Sequence, residues 1–179
     1  MVSRSFLSRV VSRVNRSPEQ VRSRALTLLF GRAVRFAGIA GVRVESLTES
    51  CAVLSMRNRK RVQNHLGSIH GAAMGLLVES ASGLVVGMNV PDSRVVGIKT
   101  LHLDYVKRAS GDVRAIASLN SEQMAILRNT ERGELAVQVE VLDEKGLAPV
   151  RCQVIWAWNP KVRHRRADLR RKANTIPSV

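Results

Sequence analysis

The sequence predicts an α+β fold, one antiparallel sheet packed on a single buried helix. Three observations predict it. Residues 72–88 form a run of small and apolar side chains with one charge, Glu79. Short segments that alternate apolar and polar residues flank that run, two before it and four after. A stretch with helical periodicity precedes them all.

Residues 1–41 read as a basic arm of two amphipathic helices. Phe6, Leu7, Val10, Val11 and Val14 recur at helical spacing, with Arg9, Arg13 and Arg16 on the other side. Ser17-Pro18-Glu19-Gln20 has the composition of a helix start, Ser17 as N-cap, Pro18 at the first position and Gln20 at the third. The second helix is expected to run towards Phe36 and stop near Gly38 or Gly41. An Arg-rich, Ser-rich, acid-free beginning also describes a mitochondrial transit peptide. The other reading is an arm docked on its own domain or on a partner subunit.

From residue 42 the period changes to that of strands. Residues 42–47 and 51–56 are joined by the turn Thr48-Glu49-Ser50. The basic run Arg57-Asn58-Arg59-Lys60-Arg61 follows, then Asn64 to Gly71 and the apolar helix. As a membrane span that helix would carry Glu79 near its centre, at a cost of about 3 kcal/mol. Gly71, Gly75, Gly83 and Gly87 suit close packing on a sheet, so we read it as a core helix. Four strands complete the order, at 95–106, 112–119, 135–142 and 150–158. In the third, Leu135, Val137, Val139 and Val141 share a face. In the last, Val150, Cys152, Val154, Trp156 and Trp158 do. The domain is thus residues 42–158, and 159–179 is a basic tail.

A chain of 179 residues with 45% hydrophobic side chains can bury a core and is not a disordered chain. Two cysteines, Cys51 and Cys152, have no metal-ligand spacing and fit a reducing, cytoplasmic location. The net charge of +15 divides into +8 for residues 1–43, +6 for 159–179 and +1 for 44–158. The excess therefore sits on the two arms. The tail has no interleaved aromatic residues on which bases could stack. Weak attraction to anionic surfaces is expected, and specific nucleic-acid recognition is not.

The lone carboxylate of the apolar helix has two readings on residue type. It is either a glutamate satisfied by a buried amide or cation, or a nucleophile or general base tuned by its surroundings. The flanking pattern bears on the choice. Asn64-x-x-Gly67-x-x-His70-Gly71, followed nine residues after the histidine by Glu79, resembles the active-site segment of hotdog-fold acyl-CoA thioesterases. The branch with phenylacetyl-CoA and 4-hydroxybenzoyl-CoA thioesterases is the most similar, and within it an uncharacterised bacterial group. The resemblance covers about residues 42–158, including the Tyr105-x-x-x-Ala109 strand ending.

That resemblance implies a hotdog fold, five to six antiparallel strands wrapped on one long central helix, with no metal or bound cofactor. It implies Glu79 as the acid that attacks the thioester or deprotonates water, and the Gly71 N–H as the donor to the carbonyl oxygen. Asn64 would position water or substrate, His70 would order the loop, and Gly67 belongs to the substrate-binding turn. The family usually has Gly-Gly after its motif histidine, whereas Ala72 follows Gly71 here. Dimers, often paired into tetramers, are implied too.

Helix geometry supports dimers independently. Gly71 and Glu79 lie eight residues apart, about 12 Å along a helix. One carbonyl cannot touch both within one chain, so a working site takes Gly71 from one subunit and Glu79 from another. Arg57, Arg59, Lys60 and Arg61 are candidates for holding the phosphates of coenzyme A, or else form a solvated turn. Lys99 is expected on the same face as Leu101, as a candidate charge partner for Glu79 or else a surface lysine. His65, His102 and His164 read as ordinary surface or strand histidines. Two other functions compete with hydrolysis: acyl-CoA or lipid binding without turnover, and an interaction protein working through its basic arms.

Overall fold

The computed structural model describes residues 5–161, so the basic tail beyond Lys161 and His164 with it lie outside the described residues. Six strands form one antiparallel sheet in the order β1-β2-β4-β5-β6-β3. They are β1 (Arg43–Leu47), β2 (Cys51–Met56), β3 (Arg94–Tyr105), β4 (Val113–Ser118), β5 (Gly133–Asp143) and β6 (Val150–Pro160). Between β2 and β3 runs α4 (Gly71–Asn89), which packs on the inner face of the sheet. This is the hotdog arrangement expected from the sequence.

Strand β5 makes the sheet wrap. Its second half, 138–143, pairs with β4, and its first half, 133–137, pairs with β6. One strand thereby serves two neighbours at different ends, and the sheet coils around the helix. Inward positions alternate as expected. Leu135, Val137, Val139 and Val141 are buried, as are Val150, Val154, Trp156 and Trp158. The indole Nε1 of Trp156 donates to Ser82 Oγ of α4 at 3.0 Å, which satisfies a buried donor and fixes strand to helix.

Helix α4 has the length and hydropathy of a membrane span, yet most of it is buried within the protein. Its apolar run is core, shielded on one side by the sheet and on the other by the arm.

The arm folds onto the domain. Helices α1 (Phe6–Val14), α2 (Glu19–Ala33) and α3 (Arg35–Ala40) follow one another. Ser5 caps α1 by accepting from the Ser8 N–H and donates to the Met88 carbonyl at the end of α4. Asp92 accepts from the Phe6 N–H and pairs with Arg9 at 3.0 Å. The Asn15 side chain donates to the Leu47 carbonyl. Helix α2 lies along β1, where Thr27 Oγ1 accepts from the Val44 N–H and Ser23 Oγ donates to the Val44 carbonyl. The outer edge of β1 is thus occupied.

Three details differ from the sequence reading. Ser17 closes the turn after α1, its N–H bonded to the Val14 carbonyl, and Pro18 takes the cap position of α2. The second helix divides at Val34, and its last turn ends at Gly41, whose φ of 78° favours glycine. A further helix, α5 (Ser121–Asn129), occupies the stretch between β4 and β5. Asn120 and Gln123 form its capping box. Arg94 donates to the Leu127 and Arg128 carbonyls at its other end, where a cation suits the helix dipole. Arg128 in turn bonds Asn89 Oδ1 and pairs with Glu49, tying α5 to the end of α4.

Asp143 closes the β5–β6 turn. Its carboxylate accepts from the N–H groups of Ser110, Lys145 and Leu147 at 3.0–3.1 Å. Burial alone would raise its pKa. The N–H groups of Leu147, Ser110 and Lys145, with the charge of Lys107, outweigh that and hold the carboxyl below the usual range. The unfolded chain then takes up this proton first. The stability Asp143 contributes is present above about pH 4 and is lost as pH falls through the folded value. Asp143→Asn is therefore expected to flatten the acid limb of the stability curve, measured by urea unfolding at stepped pH. An acid limb parallel to wild type would refute this.

Candidate active site

The motif loop is built before it can act. Asn64 Oδ1 accepts from the N–H groups of Leu66 and Ser68 at 2.9 and 3.3 Å, and from Ser68 Oγ at 3.3 Å. This is an Asx-type turn. Gly67 sits at φ 74°, a left-handed position that favours glycine, and its carbonyl accepts from Asn58 Nδ2. The His70 N–H bonds the Val62 carbonyl at 2.8 Å. Asn64, Gly67 and His70 therefore share the work of shaping one loop, and that loop aims α4.

His70 is the N-cap of α4, its Nδ1 accepting from the Ala72 N–H at 3.1 Å. Its carbonyl takes the N–H groups of Ala73 and Met74. The Gly71 N–H, first of the helix, has no acceptor among the described residues. It stands at the positive end of a 19-residue helix, a position suited to developing negative charge. The Tyr105 ring lies over it, so close that a Cβ at residue 71 would meet the ring at 2.9 Å.

Positions 71, 75, 79, 83 and 87 form one ridge of α4, each four residues from the next. Four are glycine. A Cβ on Gly75 would meet Leu103 at 3.2 Å, one on Gly83 would meet Trp156 at 2.9 Å, and one on Gly87 would meet Leu7 at 3.3 Å. The ridge is bare so that strands β3 and β6 and helix α1 can approach. Glu79 is the one long side chain in it.

Glu79 is half-buried, and its carboxylate makes no hydrogen bond or ion pair among the described residues. It lies in the wall of a cavity of about 560 Å³ between α4 and the arm. Apart from Ser80 the lining side chains are apolar, among them Leu29, Phe30, Leu76, Leu84 and Trp156. The reading of Glu79 as a residue satisfied by a buried amide or cation finds no partner of that kind.

Lys99 is not beside it. A bulge between Ile98 and Thr100 breaks the alternation of β3, so Val96 and Ile98 share the inward side with Leu101 and Leu103. Lys99 faces outward and pairs with Glu134. The expected common face for Lys99 and Leu101 ignored that extra residue. Cys152 offers no nucleophile either, since burial pushes its thiol up to about 11.

Arg57, Arg59 and Arg61 line a second groove of about 790 Å³ on the outer face of the sheet, and Lys60 does not. Arg24, Arg43 and Arg114 join them there. The four acids of the groove are largely engaged. Glu45 pairs with Arg114, Asp112 accepts from the Asn58 N–H, Asp143 holds its turn, and Glu144 lies under Gly111. Arg24, Arg43, Arg57, Arg59 and Arg61 have no carboxylate partner among the described residues. Arg24 and Arg43 were missed from sequence, because only the packing of α2 on β1 brings them to the basic run. The arm's share of the cavity was missed for the same reason.

Within the chain the arginine groove and the Glu79 cavity are separate. The Asn58–Gly67 bond connects the groove to the Gly71 end of α4, and Glu79 lies two turns further on.

Comparisons with known proteins agree with the fold. A Pseudomonas aeruginosa protein of unknown function, described as a probable thioesterase, has 21% identity and a TM-score of 0.68, covering 75% of this chain and 93% of its own. A Haemophilus influenzae thioesterase has 15% identity and a TM-score of 0.64, covering 79% and 93%. A Staphylococcus aureus thioesterase has 16% identity and a TM-score of 0.61, covering 70% and 99%. No curated protein matches the sequence. The conserved domain of unknown function DUF4442 matches residues 22–158, from within α2 to the end of the sheet, and the chain belongs to that family.

Proposed function

We propose that this protein hydrolyses an acyl-CoA thioester to a carboxylic acid and free coenzyme A. The observation that carries the reading is the Glu79 carboxylate, without a partner among the described residues, in the wall of a largely apolar cavity, on a helix whose first N–H likewise has no acceptor among them. In the proposed reaction, Glu79 either attacks the thioester carbonyl, giving an acyl-glutamate anhydride that water then hydrolyses, or takes a proton from a water that attacks the carbonyl, and the Gly71 N–H stabilises the oxyanion. The thiol of coenzyme A leaves. Asn64 and His70 act by shaping the loop that presents Gly71.

The site combines two protomers. Helix α4 is unbroken from Gly71 to Asn89, so the two groups stay about 12 Å apart within one chain. Among the described residues strand β3 is a sheet edge, 12 residues long, with no strand on its outer side and with Val95, Ile98, Leu101 and Tyr105 exposed along it. Such an edge suits pairing with a second copy. The protomer that supplies Gly71 then also supplies Arg57, Arg59 and Arg61, through the loop fastened at Asn58, for the phosphates of coenzyme A.

A further parallel concerns Glu79 and the loop residue Asn64. Two solved forms of the Staphylococcus aureus protein carry substitutions to alanine, one of a glutamine and one of a glutamate fifteen positions later. Asn64 and Glu79 are fifteen positions apart in this chain.

Release of free thiol from a panel of straight-chain and aromatic acyl-CoAs tests the reaction. Binding without turnover across the panel would replace hydrolysis by a carrier role. Arg59→Glu with Arg61→Glu is expected to raise KM about tenfold or more with kcat little changed, since hydrogen bonds to charged groups are worth about 1.5–3 kcal/mol. Lys60→Glu, outside the groove, is expected to do less. An unchanged KM in the double variant would remove the phosphate role.

A further inference from the structure

We infer that the cavity between the arm and α4 is the acyl-chain site, and that it selects unsubstituted aliphatic acyl groups over hydroxylated or carboxylated ones. The inference rests on the thioesterase reading, which places the reacting carbonyl at Glu79.

The Glu79 carboxylate stands in the cavity wall, with Leu76 before it on α4 and Gly83 and Leu84 after it. The cavity is walled by α4 on one side and by α1 and α2 on the other. Its volume of about 560 Å³ lies in the range of small-molecule sites, roughly 300–1,000 Å³. At about 30 Å³ for each water-sized group, it holds roughly nineteen. That exceeds an acetyl or a single ring and suits a chain.

The chemistry of the wall sets the class. Among the described residues Glu79 and Ser80 are its only polar lining residues, and they are neighbours on α4. A hydroxyl or carboxylate further along the acyl group would lose its water and gain no partner, which is costly. A methylene there gains burial, lowering KM about three- to fourfold for each one added.

The arm is a fixed wall. Ser5, Arg9 and Asn15 hold α1 to Met88, Asp92 and Leu47, and Ser23 and Thr27 hold α2 to β1. Phe6 and Leu29 keep apolar surface exposed at 65% and 46% while lining the cavity, as expected of residues that wait for an apolar occupant. The basic arm thus belongs to the substrate site, and its charge is incidental to that role.

The test uses the full chain and the Ala33→Trp variant. Ala33 is exposed at the end of α2 and lines the cavity, so an indole there fills space without entering the core. Two readouts are needed: kcat/KM for acyl-CoAs from butanoyl to hexadecanoyl with 4-hydroxybenzoyl beside them, and calorimetric binding of dodecanoate. Wild type should improve about threefold per methylene until the cavity is full, and should disfavour the hydroxylated group. In Ala33→Trp the optimum should move to shorter chains and dodecanoate binding should weaken at least tenfold. Dodecanoate binding that Ala33→Trp weakens, with no thioester turned over, keeps the cavity assignment and overturns hydrolysis. Turnover with a flat chain-length profile, or one that Ala33→Trp leaves unmoved, overturns the cavity assignment and keeps hydrolysis. A preference for the hydroxylated group also overturns it.

Discussion

Glu79→Gln is expected to lower kcat for acyl-CoA hydrolysis by about 10²- to 10⁴-fold, the range contributed by a positioned general acid or base. The substitution keeps size and removes charge and basicity. Because the carboxylate has no protein partner among the described residues, nothing in the fold depends on it. Stability should stay within about 0.5 kcal/mol of wild type, as for a substitution that breaks no interaction. The combination separates a chemical role from a structural one. Thermal unfolding and steady-state thiol release on the same preparation measure both. A variant as active as wild type would end the assignment of Glu79.

The second large effect is expected from the free edge of the sheet. Ile98→Lys with Leu101→Lys places two charges on β3 at side chains that are each 36% exposed in the protomer. The lysine stems can keep the apolar packing while the ammonium groups reach water, so the protomer should fold. In a two-fold pairing each strand meets its own copy, and like charges face one another. The double variant is expected to run as a monomer in sedimentation and to lose at least about 10²-fold in kcat/KM, since each site then lacks either Gly71 or Glu79. A monomer with wild-type turnover would show that one chain suffices and would remove the shared site.

How much of this was legible in the sequence depends on the range of the interaction. An unbroken apolar run located α4 and the lone charge in it Glu79, and alternation located the strands, because half-buried strands impose their repeat on neighbouring residues. Helix α5 was passed over although Asn120 and Gln123 announce it, since its nine residues are too few for a clear apolar stripe. The facing of Lys99 failed at a bulge, where one inserted residue reverses everything beyond it and leaves no mark in composition. Arg24, Arg43 and the arm's contacts with the cavity are long-range consequences of packing. No local pattern encodes that α2 lies along β1. For the site, the residues of the motif loop were readable by type and spacing. That Asn64, Gly67 and His70 spend their polar groups on the loop needed coordinates.

The unequal treatment of the two ends of the sheet limits how the molecule can polymerise. Among the described residues, Ser23 and Thr27 occupy the backbone groups of Val44, which obstructs strand addition at β1, while no such cover lies on β3. A building block with one adhesive end forms a pair and stops, whereas one with two grows into a fibre. The helix that walls the cavity thus also acts as a chain terminator. Thr27→Val with Ser23→Ala would strip those bonds and is expected to leave β1 open to strand addition, so that the arm guards the protein against runaway self-association.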